Sequence, residues 1–348
     1  MPTSPLHTTH VAAGGRFTDF GGWMMPVQYE GVLAEHAAVR SHGGVFDVSH
    51  LGRFEVSGRG ATELLQSQLC NDISRVAPWR AQYTMALNDR GGVEDDIIVW
   101  HLEKNRFWLM PNGTTSERIV SRFSSAAPPG VSIEDIRPST VLLAVQGPHA
   151  PSIIESVLGI APGRFRVLET TWSGHQVIAA GTGYTGEAGG EVCIPIEGAA
   201  QLWDALVAAG GTPAGLGARD TLRLEMGYPL WGQDLGPDTS PLEAGLGWVV
   251  AWDHDFVGRD ALETQKGSLA KQLVAFSTEG RAIPRTGYSV EAGASHGTVT
   301  SGNFSPSLQH GIGLAYLSPP PDEETQLTVT IRGSAVEATR VKLPFFNR

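Results

Sequence analysis

Three consecutive carboxylates, Glu94-Asp95-Asp96, stand where few acids are expected, at the start of an apolar run from Ile97 to Trp100. A second apolar run, Tyr83 to Leu87, precedes them, and Asn88-Asp89-Arg90-Gly91-Gly92 lies between. Two apolar runs around a glycine-rich reversal predict a β-hairpin. Alternation along the second strand puts Glu94 and Asp96 on one face and Asp95 on the other. At least one acid then points toward whatever the sheet packs on. A carboxylate there is costly unless it is paired, hydrogen-bonded or used. Spacing alone favours three solvated acids at a strand end, with a working carboxylate as the alternative.

Other chemistries are weaker. Gly181-Thr182-Gly183-Tyr184-Thr185-Gly186 matches GxGxxG after an apolar strand, but a dinucleotide loop must next open a helix. Here Glu191-Val192-Cys193-Ile194-Pro195-Ile196 follows, alternating and with a proline. The expectation is a β-turn, or a loop that lets a flat ligand approach the backbone near Tyr184 and Glu191. The 11 histidines form no HExxH or HxxxH pair, so no metal is expected. Ser49 and His50 fall on opposite faces of a strand, which implies no nucleophile–base pair. Gly217 to Asp220 opens a helix and carries Arg219, either as a charged cap or as a clamp for an anion or carbonyl.

The elements that must position these groups can be read coarsely. Helices are expected over Tyr29 to Ser41, Ala61 to Leu69, Thr115 to Phe123 and 199–209. Residues 1–28 read as irregular. Strands with intervening helices from 45 to 140 predict an α+β layer with a mainly antiparallel sheet. A second α+β unit begins at Val141, and a Gly-, Pro- and Thr-rich linker or lid at Gly236. Strand-like runs at 272–277, 288–291, 297–300, 312–316, 326–331 and 335–342 predict a small C-terminal β-barrel or jelly-roll.

Composition agrees with an ordinary globular chain of two or three domains: 348 residues, 41% hydrophobic and 18% charged. The formal net charge of −11 argues against a nucleic-acid binder. Two distant cysteines suggest a reducing compartment. No signal peptide or bilayer-length apolar run is read, so the expectation is a cytoplasmic protein with no membrane partner.

Several stretches together resemble the aminomethyltransferase (T-protein) family of the glycine cleavage system. They are Phe17 to Met25 (FTDFGGWMM), Phe46 to His50 (FDVSH), Leu87 to Asp96, Gly183 to Glu187 (GYTGE), Pro213 to Asp220 (PAGLGARD), Pro241 to Gly245 (PLEAG), Thr300 to Pro306 (TSGNFSP) and Lys342 to Phe345 (KLPF). They occur in family order over nearly the whole chain. The resemblance implies a three-domain cloverleaf of class α+β. Its domains are 1–50 with 138–250, then 51–137, then the barrel 270–348.

It also implies transfer of an aminomethyl group from the dihydrolipoyl arm of the H-protein to tetrahydrofolate, with release of ammonia. Asp96 matches the essential carboxylate at the folate amines. Tyr83, Asn112, Tyr184, Glu191 and Arg219 match positions that line the folate. Leu51 replaces the family's usual Met there. The chain departs from the family at Gly181, where Arg is usual, at Ala188-Gly189-Gly190 in place of Asp-Gly-Phe, and at Gly113-Thr114-Thr115 after Asn112. These departures bear on the donor more than on the folate. A paralogous folate enzyme acting on a free small molecule is therefore the alternative. A non-catalytic folate-binding protein is a third reading, against which the acid at position 96 speaks.

Overall fold

The structure is a computed structural model and describes residues 1–280 and 282–347. The fold is mixed α+β with largely antiparallel sheets and a closed six-stranded barrel in the C-terminal part. The chain divides into two compact units, Met1–Thr84 with Asp96–Arg219, and Met85–Asp95 with Asp220–Arg348. Among the described residues no helix is long and apolar enough to cross a membrane.

The first unit holds a six-stranded sheet in the order Val167–Trp172, His175–Ala180, Gly189–Pro195, Thr140–Gln146, Gly44–Asp47, Thr212–Pro213. All its pairings are antiparallel except the last, which is parallel. Val141, Leu143 and Val145 alternate onto one face and meet Ile153 and Ile154 of helix Ala150–Leu158. Leu202, Trp203 and Leu206 of helix Ile196–Ala208 complete that core. A five-stranded sheet runs Arg80–Leu87, Val93–Glu103, Arg106–Met110, Phe54–Gly58, Val131–Asp135. Helix Ser116–Ala126 sets Phe123 edge-on against Phe54 of that sheet.

Two expectations are corrected here. Residues 1–28 are not irregular: helix His7–Ala12 is followed by a hairpin, Arg16–Phe20 with Trp23–Gln28. Its reversal is made by Gly21 and Gly22, both at positive φ, and a six-residue helix with strands of five and six residues leaves too short a period to read. The second helix begins at Val32, not at Tyr29. Buried Glu35 accepts from the Tyr29 N–H at 2.6 Å and the Gly31 N–H at 3.0 Å, so the chain before Val32 caps the helix instead of joining it.

In the second unit the barrel order is Gln272–Thr278, His310–Ser318, Ser295–Ser305, Ser289–Ala292, Leu327–Ile331, Ser334–Arg340, closing on the first strand. Closure removes the free sheet edges, and the inward residues Phe276, Val290, Val299, Leu317 and Val329 fill the interior. Arg223, almost fully buried, donates to Asp234 at 3.0 Å and to Ser301 at 2.9 Å. A buried guanidinium is tolerable only with such partners.

Candidate functional site

Asp96 lies near the start of the strand Val93–Glu103, and Tyr83 on the neighbouring strand Arg80–Leu87. The Tyr83 hydroxyl donates to Asp96 Oδ2 at 3.1 Å. Asn112, just beyond the strand Arg106–Met110, donates through Nδ2 to Asp96 Oδ1 at 2.8 Å. The Asn112 turn is itself held, since the Thr115 N–H and hydroxyl both donate to its carbonyl at 3.2 and 3.0 Å. Both carboxylate oxygens are therefore occupied by neutral donors, with no cation among them. Burial raises the Asp96 carboxyl above its ordinary value, against the two hydrogen bonds, which pull it down. Burial and the nearby Asp96 and Tyr184 push the Tyr83 phenol well above its own.

Alternation separates the three acids onto two faces as expected, but they are not three solvated side chains. Asp96 and Glu94 are half-buried, whereas Asp95 has no exposure at all. Asp95 points away from the Asp96 face, into the interior and not into solvent. The favoured reading from spacing, three solvated acids, is overturned.

Tyr184, Glu191 and Arg219 form a second cluster. Glu191, in the strand Gly189–Pro195, is buried and accepts from the Thr182 hydroxyl at 2.5 Å. Arg219, near the start of helix Leu216–Glu225, lies with its guanidinium 4.9 Å from the Tyr184 ring centroid, within cation–π range. Burial lowers the Arg219 pKa, and Glu191 and Tyr184 oppose that loss. Its Nη1 is buried and has no hydrogen-bond partner among the described residues. A donor left unpaired in this way costs about 1–3 kcal/mol, and an acceptor on a ligand would satisfy it.

Leu51 is half-buried in a turn closed by its own N–H on the Val48 carbonyl at 3.1 Å. The next residue, Gly52, donates to Pro111 at 2.9 Å, which joins this turn to the one bearing Asn112. All seven expected residues belong to the first unit. Among the described residues no three His, Cys, Asp or Glu side chains converge as metal ligands.

Sequence reasoning left several supporting residues unassigned. Gln146 accepts from the Thr185 hydroxyl at 2.8 Å and donates to the Thr182 carbonyl at 3.2 Å, bracing the Gly181–Gly186 loop from beneath. Arg40 fixes the same loop through the Thr185 carbonyl and Glu187, each at 2.8 Å. The only signal for Gln146 is a polar residue closing the apolar run Val141 to Val145. His50, which the sequence leaves without a catalytic role, is buried; burial and Arg219 push it down to about 3, so it stays neutral.

The departures have local causes. A Cβ at Gly113 would sit 2.6 Å from the His50 carbonyl oxygen, so the loop bearing His50 and the Asn112 turn approach too closely for any side chain. At Gly181 a Cβ would sit 2.0 Å from the Gly163 carbonyl oxygen, because the segment Pro162 to Arg166 crosses over the strand there. An arginine at 181 and that path of the backbone exclude each other.

Comparison with known proteins agrees with this architecture. A family model of the GCVT N-terminal domain matches residues 6–254, and one of the glycine cleavage T-protein C-terminal barrel domain matches residues 271–347. The chain is 46% identical to an aminomethyltransferase of Frankia alni, with 98% of this chain and 97% of that protein covered. It is 42% identical to one of Synechococcus elongatus, over 99% and 96%. Among solved structures, glycine cleavage system aminomethyltransferase T from Bartonella henselae superposes with a TM-score of 0.91 at 32% identity, covering 99% of this chain and 98% of that one.

Proposed function

The chain belongs to the glycine cleavage T-protein family and is an aminomethyltransferase, and from that premise we propose which residues carry the transfer and what they act on. The family is folate-dependent in general. The reading is that tetrahydrofolate accepts the one-carbon unit, and that the donor is the aminomethylated dihydrolipoyl arm of an H-protein. In this reading the folding domains are 1–50 with 138–250, then 51–137, then 270–348.

The observation that carries it is Asp96: an acid half-buried beside two neutral donors, raised by burial and opposed by no cation. Perturbed carboxylates of this kind gather at working sites. Expelling the dihydrolipoyl thiol from the N,S-acetal, and then ammonia from the aminomethyl group once it is on the folate amine, each develops iminium character, which a fixed anion in a water-poor site stabilises better than water does. Asp96 orients the folate amine, steadies that cation and takes the amine proton as the new bond forms. Tyr83 and Asn112 hold the carboxylate in one orientation.

Glu191 accepts from the adjacent N–H donors of the pterin edge, and the unpaired Arg219 Nη1 takes its ring carbonyl. Tyr184 keeps the guanidinium in place. Leu51 supplies apolar surface where Met is usual, a small change in shape. The names of the relatives favour this donor over a free small molecule. Incubation with aminomethylated H-protein and tetrahydrofolate should release ammonia in proportion to the folate product. Folate binding with no ammonia would refute the donor assignment.

A further inference from the structure

Away from these clusters, the first unit brings like charges face to face. Arg80 pairs with Arg166 across an isolated antiparallel bridge. The flanking bonds run from the Ala81 N–H to the Phe165 carbonyl at 3.0 Å, and from the Val167 N–H to the Trp79 carbonyl at 2.9 Å. That pattern is the non-hydrogen-bonded kind of pair, in which opposed side chains come closest. Like charges directly opposite each other are destabilising. Arg164, two residues away with its guanidinium 5.8 Å from the Phe165 ring, adds a third. All three arginines are exposed, and among the described residues no carboxylate forms an ion pair with any of them. This occurs in a chain with 36 acidic residues to 25 basic, where acidic neighbours are easily found.

The backbone is strained at the same place. Trp79 has φ 62 and Phe165 has φ 54, both left-handed, and each sits next to one arginine of the pair. Bulky residues rarely adopt that region, and such strain collects at functional sites. The carbonyls of these two residues accept the bonds that flank the bridge, so the strain and the arginine pairing are one construction. Trp79 and Phe165 are also half-buried, and leave aromatic surface beside the guanidinium groups.

We propose that Arg80, Arg166 and Arg164, with Trp79 and Phe165, form the docking surface for an acidic protein partner, the carrier of the one-carbon unit. Arginine and aromatic residues are the types enriched at the energetic centre of protein interfaces. Guanidinium forks grip carboxylates bidentately, and a partner's Asp or Glu placed between Arg80 and Arg166 turns their repulsion into attraction. Charge of opposite sign to the rest of the chain also orients the encounter. Arg80 begins the strand that carries Tyr83, three residues and about 10 Å further along it, with alternation setting the two side chains on opposite faces. The proposal rests on the reading that the donor is protein-borne.

The test uses the whole chain with Arg80→Ala/Arg166→Ala, and with Arg80→Lys/Arg166→Lys as the charge-keeping control. Affinity for lipoylated H-protein is measured by calorimetry at two salt concentrations. The alanine pair should weaken it about tenfold or more and flatten its salt dependence, and the lysine pair should lose less. Tetrahydrofolate affinity, and turnover with free aminomethylated dihydrolipoamide, should stay within about twofold. Unchanged carrier affinity, while wild type releases ammonia from the carrier, overturns the docking surface and leaves the donor reading standing. No ammonia from the carrier with wild type overturns both. Weakened folate affinity with intact carrier affinity overturns it in favour of the folate's own carboxylates. Loss of self-association with intact carrier affinity overturns it in favour of a second copy of the chain.

Discussion

The Asp96 cluster and the Arg219 cluster treat a half-buried charge in opposite ways. Asp96 has a neutral donor on each oxygen, yet burial still dominates and its carboxyl is raised. Arg219 has an acid and an aromatic face nearby, yet one of its nitrogens is left with no acceptor among the described residues. The first arrangement is complete in geometry and unfavourable in charge, which suits a group that must exchange a proton. The second is favourable in charge and incomplete in geometry, which suits a group that waits for a ligand. The contrast matches the proposed division, chemistry in one cluster and recognition in the other.

The sharpest way to break that division is Asp96→Asn. Turnover should fall about 100- to 10,000-fold, while tetrahydrofolate affinity changes by less than about tenfold, since binding rests on many contacts. The variant should also be at least as stable as wild type at neutral pH. A carboxyl raised on folding favours the native state only below its unfolded value, and that contribution is lost as pH rises through the raised one. Near-normal turnover, measured by ammonia release, would end the catalytic assignment.

Arg219→Gln probes the other side and should act mainly on binding. Folate affinity, read by fluorescence titration, should weaken about 10- to 100-fold, the range for losing a charged hydrogen bond. A fall in kcat at saturating folate, with affinity intact, would erase the distinction between the clusters.

The smallest effect comes from Asn112→Ala. Its hydrogen bond lowers the Asp96 pKa, so removing it raises that pKa further. The proposed mechanism uses ionised Asp96, so the acid limb of the kcat/KM profile should move to higher pH. A limb that stays in place would mean that another group controls it.

Much of the plan was legible in the sequence. The six C-terminal strands show as alternating runs between turn signals, and they close as a barrel. Helix Ala61–Gln68 shows through its apolar spacing. The absence of a helix after Gly186 correctly excludes a dinucleotide loop, because strand Gly189–Pro195 follows. The hairpin around Asn88 to Gly92 and the two faces of its acids follow from local rules alone. The N-terminal helix and hairpin were not legible, since elements of five or six residues carry too little period. The braces on the glycine loop were not legible either: Arg40 and Gln146 lie 145 and 39 residues from Thr185.

What the sequence by itself determined is which residues could matter: the acid triplet, the glycine loop and the family of motifs that selects Asp96. What only the tertiary structure decided is how each is held. Asp95 is buried and not solvated, Asp96 is met by Tyr83 and Asn112, and Arg219 keeps one nitrogen unpaired. The reason is physical: strand alternation is a local property of the chain, whereas desolvation and hydrogen-bond partners depend on which distant segments pack against each face.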